Sequence, residues 1–364
     1  MSIYRFSEIL NFNSPVHATS KGIEDIEKVL DTFHMESFNN IGVSYMDVEG
    51  QGKLKKALYY FQPKRLKVLF DLYNAKGKTV FFHYPFAKGK LFEKILKSNF
   101  INNNNVYLLV HDIDSLRSFD TCSVHEEVEL LNKAAGIMLH NPSMEEILRK
   151  NGLLVRNIVD IDIFDYLVQP EKITKNISRE FSRQVVYAGN LQKSEFINQL
   201  GTLNHHNFIF NIYGPFFNEN LKKLPYIKYF GNLDPNDIVF NLQGSFGLVW
   251  DGPDITTCGG RYGKYLRYNN PFKTSLYIAA QMPVIVWKDS AIADFVVRNN
   301  IGFTVSSLEE IQTKLDDFTE LQYKQILKNT IEMSYKVRSG FFTRKAVKEL
   351  LYNIIQDMDQ MQLG

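Results

Sequence analysis

Short apolar runs recur along the chain, separated by longer stretches in which apolar residues return every three or four positions. That alternation predicts βαβ units and parallel sheets, because strands covered by helices on both faces are continuously apolar. In the first half, Val68–Leu72, Thr79–His83, Val106–His111 and Gly136–His140 read as buried strands. Gly22–Leu30 carries Ile23, Ile26, Val29 and Leu30 at helical spacing and reads as an amphipathic helix behind a polar opening loop. Ser143–Lys150 predicts another helix, with Ser143 as N-cap, Glu146 at the capping-box position and Gly152 as the stop. The Asn102–Asn105 run predicts a loop tip.

Periodicity lapses over Asp160–Ser182, which reads as a linker. Beyond it VVYAGN, FNIYG, IKYFG, FGLVW and PVIVW form a second strand series, and the chain from about Arg338 reads as helical. The expected organisation is α/β. Residues 1–165 form one Rossmann-like domain, 166–337 a second, and 338–364 a helix returning to the first, with the two sheets facing a central cleft. Ligands of open parallel sheets bind beyond the carboxyl ends of the strands, at the point where strand order reverses. Residues just after each strand are therefore the candidates for chemistry.

A chain of 364 residues suits two such domains of roughly 150 residues each. A net charge of +2 excludes wholesale attraction of nucleic acid, so any anion is bound by a local site. Two cysteines, Cys122 and Cys258, supply neither a disulfide framework nor a zinc site and suit a reducing cytoplasm. MSIYRFSEIL lacks a basic leader followed by an apolar run, and nowhere do about 18 apolar residues run together. A cytoplasmic protein with at most peripheral contact at the inner face of the membrane is expected. The 28 Phe and 19 Tyr are assigned to cores and sugar-binding surfaces.

The densest chemical signal is WDGPDITTCGGRYGKYLRYNNPFK, Trp250–Lys273. Gly259, Gly260 and Gly263 allow close backbone approach, Lys264, Arg267 and Lys273 supply cations, and Tyr262, Tyr265 and Tyr268 supply hydroxyls and ring faces. Pro271 is placed to start a helix with Thr274 and Ser275 in its first turn, so its N–H groups and Lys273 make a diphosphate site. A capped helix behind a mobile basic loop explains the same residues. Neither GxxxxGK[ST] nor GxGxxG occurs. In YAGNLQK, Gly189 and Asn190 end a strand and Lys193 is placed to meet phosphate, while Tyr213 offers a face for a nucleobase. Ordinary strand-end turns account for these equally.

On the first domain, His111 and Asp112 directly follow VYLLV, where either is placed to act as general base toward an acceptor hydroxyl. A helix-capping Asp is the plainer reading. Tyr84 follows TVFFH as a wall for an acceptor sugar, and Ser20 and Lys21 of the opening loop are candidates for phosphate or acceptor contact. Asp112–Asp114 and Asp160–Asp162 spell DxD, but neither stands as the isolated loop a metal-dependent transferase needs. No metal and no cofactor are expected, the leaving diphosphate being carried by lysines and helix N-termini.

Taken in order, SKGIEDIEKVL, HYP, VHDIDSLR, YAGNL, GLVWDG…GKYLRYNNPFKTSLYIAAQMPVIVW, ADFVVRNNIGF and GFFTRK resemble GT-B glycosyltransferases over nearly the whole chain. The likeness is to bacterial β-1,6-galactofuranosyltransferases of O-antigen and capsule assembly and to glucosyltransferases that extend GlcNAc on streptococcal serine-rich-repeat adhesins. The glycine-rich loop is closer to the former and GFFTRK to the latter. The resemblance implies a UDP-sugar donor held by Gly189, Asn190, Tyr213, Lys264, Tyr268, Asn270 and Lys273, with Asp251 near a sugar. It places His111, Asp112 and the opening loop on the side of a lipid- or protein-linked glycan acceptor. Tyr277 stands where many such enzymes carry a ribose-holding Glu. Asp112, Asp251 and His111 remain alternative bases, and the oligomeric state is open. A nucleotide-sugar epimerase, a non-catalytic partner subunit and a binding protein are the competing readings.

Overall fold

The computed structural model describes residues 2–6, 18–37, 63–85, 94–117, 122–203 and 207–363. Two compact units divide them, Met1–Ile161 with Thr343–Gly364, and Asp162–Phe342. In the first, β1 (Ile3–Phe6), β2 (Glu36–Ser37), β3 (Thr79–Tyr84), β4 (Asn105–Val110), β5 (Gly136–Leu139) and β6 (Ile158–Asp160) form a sheet ordered β2-β1-β3-β4-β5-β6. In the second, β7 (Gln184–Ala188), β8 (Ile209–Tyr213), β9 (Ile227–Tyr229), β10 (Phe246–Val249), β11 (Val284–Trp287) and β12 (Gly302–Val305) are ordered β12-β11-β10-β7-β8-β9. Every pairing is parallel.

The apolar runs explain the sheets. All six residues of β3 and five of six in β4 are buried, as strands covered on both faces require. Around Phe246 the second unit packs Phe181, Phe303, Phe318 and Tyr323 within aromatic-contact distance, largely edge-on. The five strands expected in this half all form, and β12 adds a sixth. The helix expected over Gly22–Leu30 runs Ala18–Asp31.

Three local expectations are corrected. Val68–Leu72 lies inside the helix Pro63–Asn74. Its apolar run buries Leu72 but leaves Leu66, Phe70 and Tyr73 exposed, the mixed pattern of a surface helix that a short run does not distinguish from a strand. The helix Pro142–Lys150 is capped by Asn141, whose side chain accepts the Met144 N–H, and Pro142 takes the first turn in place of Ser143 as cap. Asn104 is buried rather than at a loop tip, accepting from Lys78 N–H and donating to the Ala75 and Phe100 carbonyls.

The helix Glu320–Ser339 ends at Gly340, whose φ of 79° turns the chain into Phe341–Leu363. Within the first unit this last helix is tied back by Asn353 to Asn157. In the second unit two guanidiniums close the carboxyl end of the helix Phe272–Ala279. Arg338, fully buried, donates to the Ala279, Ile173 and Lys175 carbonyls, and Arg179 donates to Ala280, Leu242 and Gly244. Burial lowers both arginines to about 10.

Candidate functional site

In the second sheet the strand order reverses between β7 and β10, so the segments leaving their carboxyl ends flank the place where such folds bind ligands. Gly189-Asn190 leaves β7, and Trp250-Asp251-Gly252 leaves β10. Across them lies Lys273 from the first turn of the helix Phe272–Ala279, which starts at Pro271 without a side-chain cap. Lys273 Nζ donates to both Asp251 oxygens, at 2.7 and 2.9 Å, and sits 5.0 Å from the centre of the Tyr187 ring. The Tyr187 hydroxyl is 2.5 Å from Ser194 Oγ and 3.4 Å from Asp251 Oδ1.

Glycines hold this cluster tightly. A Cβ on Gly189 would lie 2.9 Å from Lys273 Cε, and one on Gly214 would lie 1.8 Å from the Gly189 carbonyl oxygen. Gly214 also has a φ of 132°, a conformation side chains disfavour, so the turns after β7 and β8 nest backbone to backbone. Tyr277, one turn beyond Lys273, is wholly buried. Its ring fills the space a Cβ on Gly247 would need, and its hydroxyl accepts the Ala188 N–H at 2.8 Å. At the ribose-Glu position this chain therefore has a buried tyrosine that props the end of β7.

Electrostatics favour a permanent cation. Burial works against the Lys273 charge, but Asp251 and the Tyr187 hydroxyl outweigh it and hold the ammonium above the ordinary lysine range. Burial raises Tyr187 to about 12, so it is a neutral donor. Thr274 and Ser275, in the same helical turn, are fully buried with hydroxyls that find no hydrogen-bond partner among the described residues. A helix N-terminus, a fixed cation and two unsatisfied hydroxyls make a place suited to an anion with several oxygens.

The other residues singled out in this unit disperse. Asn190 is exposed, its side chain accepting the Gln192 N–H. Lys193 is exposed and 5.8 Å from the Tyr262 ring centre, and Lys264 is exposed on the short helix Gly260–Tyr265. Tyr268 is half-buried in the turn beyond that helix. Tyr213 is buried, its ring stacked on Phe230 at 5.0 Å and its hydroxyl accepting the Gln243 N–H, so no open ring face is available to a base. Asn270 is buried and donates to the Asp162 carbonyl. Tyr187 and Ser194 were not anticipated. The only signal was that Tyr187 lies next to last in β7.

In the first unit His111 follows β4 and is half-buried, with Nε2 2.7 Å from His83 Nδ1. Burial, then the His83 and His140 imidazoles, hold His111 well below the usual histidine range, and burial lowers His140 to about 3. Asp112 pairs with Arg117 at 2.5 Å. Tyr84 is buried and donates to Glu127, which also accepts the Asp114 and Ser115 N–H groups. That position is a buried brace rather than an open sugar wall. Lys21 is buried and paired with Asp25 one turn along its helix, and burial lowers its pKa. Ser20 lies in that helix's first turn, its side chain outside the described residues, as is most of the opening loop.

Among the described residues no cluster of three or more His, Cys, Asp or Glu is arranged to hold a metal, and no helix is long and apolar enough to cross a membrane. The chain is 36% identical over 280 residues to the Beta-1,6-galactofuranosyltransferase WbbI of Escherichia coli K12, covering 75% of this chain and 79% of the relative. It is 24% identical over 284 residues to Glucosyltransferase 3 of Streptococcus parasanguinis, covering 77% and 81%. Solved structures of the same fold include Anabaena HepE in complex with UDP and glucose, with a TM-score of 0.57, 15% identity, and 97% of this chain and 99% of that one covered. Another is sucrose-phosphate synthase of Thermosynechococcus elongatus, at 0.56 and 13%, covering 100% and 99%. The two halves of one family model match in order, the glucosyltransferase 3-like N-terminal domain over residues 8–163 and its C-terminal domain over 185–350. With two parallel sheets, each leaving its central strands toward a cluster of polar groups, this chain belongs to the glucosyltransferase 3-like family and has the GT-B fold.

Proposed function

We propose that the protein transfers galactofuranose from its UDP-sugar to a sugar hydroxyl during assembly of a cell-surface polysaccharide, without a metal and in the cytoplasm. The observation that carries the donor half is the Lys273–Asp251–Tyr187 cluster at the reversal point of the second sheet. Its pre-set cation stands beside an uncapped helix N-terminus. The choice of sugar is supported by the 36% identity to a β-1,6-galactofuranosyltransferase. Glucose from UDP-glucose is the second reading, favoured by the family description and the streptococcal relative.

In the reaction the bond between the anomeric carbon and the β-phosphate oxygen breaks, and UDP leaves. Lys273 and the first-turn N–H groups stabilise the charge that grows on the departing oxygens, the form of catalysis in which fixed dipoles matter most. The acceptor oxygen bonds to the anomeric carbon and its proton passes to a base, the role this reading gives to the neutral imidazole of His111. Asp251 is committed to Lys273 and Asp112 to Arg117. Purified enzyme is to be incubated, with and without EDTA, with UDP-galactofuranose, UDP-galactopyranose or UDP-glucose and a glycan acceptor. UDP release dependent on acceptor, fastest with UDP-galactofuranose and unchanged by EDTA, is expected. Faster turnover of UDP-glucose would overturn the sugar assignment, and loss of activity in EDTA the metal-free one.

A further inference from the structure

The groups gathered around Lys273 suit phosphate, while Tyr213, at the end of β8, spends its ring on Phe230. Three residues further on, Phe216 is 66% exposed and has a φ of 67°. Both properties are disfavoured, because the left-handed region crowds the Cβ of a bulky residue and an exposed ring leaves apolar surface in water. Of the other large hydrophobic side chains exposed in the second unit, Val297 and Leu321 lie within helices and Phe341 begins one. Phe216 is thus the one such residue, among those described, that follows a strand end of this sheet. Its neighbours fix its conformation. The Leu191 N–H donates to the Pro215 carbonyl at 3.2 Å, the Gly214 N–H to the Gly231 carbonyl at 2.8 Å, and the Tyr229 hydroxyl to the Gly214 carbonyl at 2.9 Å. Phe217 stacks on Tyr229 with centroids 4.2 Å apart and planes within 6°. Strain that the surroundings hold in place in this way gathers at ligand sites.

We infer that Phe216 is the platform on which the uracil of the donor stacks, which rests on the reading that the donor's diphosphate lies at Lys273. Glycine backbone connects the two places. A Cβ on Gly189 would meet Lys273 Cε at 2.9 Å, and one on Gly214 would meet the Gly189 carbonyl oxygen at 1.8 Å. Phe216 follows Gly214 by two residues, and consecutive Cα atoms are about 3.8 Å apart, so its Cα lies within roughly 8 Å of that of Gly214. A nucleotide carries its base one ribose away from its phosphates, and glycines along the way leave the ribose room. The half-buried ring of Tyr262 already has Lys193 over it at 5.8 Å. A phenyl ring reads no hydrogen-bond pattern. It adds affinity through its π-face and leaves the choice among bases to polar groups.

The test is calorimetry of the full chain with UDP and with inorganic pyrophosphate, a probe that has no base. Phe216→Ala is expected to raise the Kd for UDP about 5- to 150-fold and to leave that for pyrophosphate unmoved. Phe216→Trp should keep the affinity for UDP. Because Trp250 and Trp287 are buried, the introduced indole is the exposed one, and UDP should quench its fluorescence while pyrophosphate does not. Phe216→Gly, for which the left-handed backbone is unstrained, should lose as much affinity as the alanine variant without melting lower than the unmodified protein. A folded Phe216→Ala that binds UDP as tightly as the unmodified protein overturns the inference and leaves the Lys273 reading standing. Equal weakening of UDP and pyrophosphate also overturns it, since the residue would then act on the phosphates. If the unmodified protein takes up neither ligand, the donor reading itself fails and the platform with it.

Discussion

In the first unit the strand order reverses between β1 and β3, and the groups gathered nearby are the imidazoles of His83 and His111. In the second it reverses between β7 and β10, and the groups gathered there are Lys273, Asp251 and bare glycine backbone. Burial disfavours charge at both places. At Lys273 a carboxylate within hydrogen-bond distance overrules it and the ammonium stays charged. At His111 the nearest titratable neighbours are other imidazoles, burial prevails, and the ring stays neutral. One sheet end thus holds a fixed cation and the other a neutral imidazole, although both are built from parallel strands of the same kind.

The contrast breaks most severely if the fixed cation is removed. Lys273→Met should lower kcat/KM for the UDP-sugar by about 10²–10³-fold and abolish UDP binding by calorimetry, because Asp251 is left unopposed beside the phosphates. The first unit has its own buried lysine, held by Asp25 rather than by an open site. Asp25→Asn should destabilise that unit by about 3 kcal/mol, since it removes the carboxylate that offsets burial of the Lys21 ammonium. Both tryptophans, Trp250 and Trp287, lie in the second unit. Urea unfolding followed by circular dichroism should therefore shift for Asp25→Asn while tryptophan fluorescence does not.

Smaller changes sharpen the comparison. Gly189→Ala places a methyl against Lys273 Cε and, by displacing the cation, should lower kcat/KM for the UDP-sugar about tenfold, measured by steady-state kinetics. Thr274→Val removes an unsatisfied buried hydroxyl and should raise stability by about 1 kcal/mol, a Tm increase of roughly 2–4 °C. If that hydroxyl contacts the diphosphate, the same variant binds UDP less tightly, so stability and affinity move in opposite directions.

The sheets were legible where burial on both faces writes a continuous apolar run, as in TVFFH, VYLLV and PVIVW. Short edge strands such as Glu36–Ser37 left no such trace, and Pro63–Asn74 hid its helix behind a run of four apolar residues in five. The switch-point rule picks out Gly189 at the end of a strand, the helix start after Pro271 points to Lys273, and Asp251 comes from the family resemblance. That rule was silent on direction. Lys21, Tyr84, Tyr213 and Asn270 also sit near element ends, yet their side chains turn inward to Asp25, Glu127, Gln243 and Asp162. Nor does sequence distance disclose that Tyr187 and Asp251, 64 residues apart, share a hydrogen-bonding centre, because that follows from β7 and β10 being neighbours across a crossover.

The two arginines at the far end of the Phe272–Ala279 helix change how that helix works. A helix carries partial negative charge at its carboxyl end, which partly cancels the pull of its amino end on an anion. With guanidiniums bonded to the Ala279 and Ala280 carbonyls, that opposing pole is quenched, and the segment behaves as a one-ended electrode whose positive tip lies at Lys273. Replacing Arg338 by an uncharged residue would then be felt as weaker anion capture a full helix length away, with every group around Lys273 still in place.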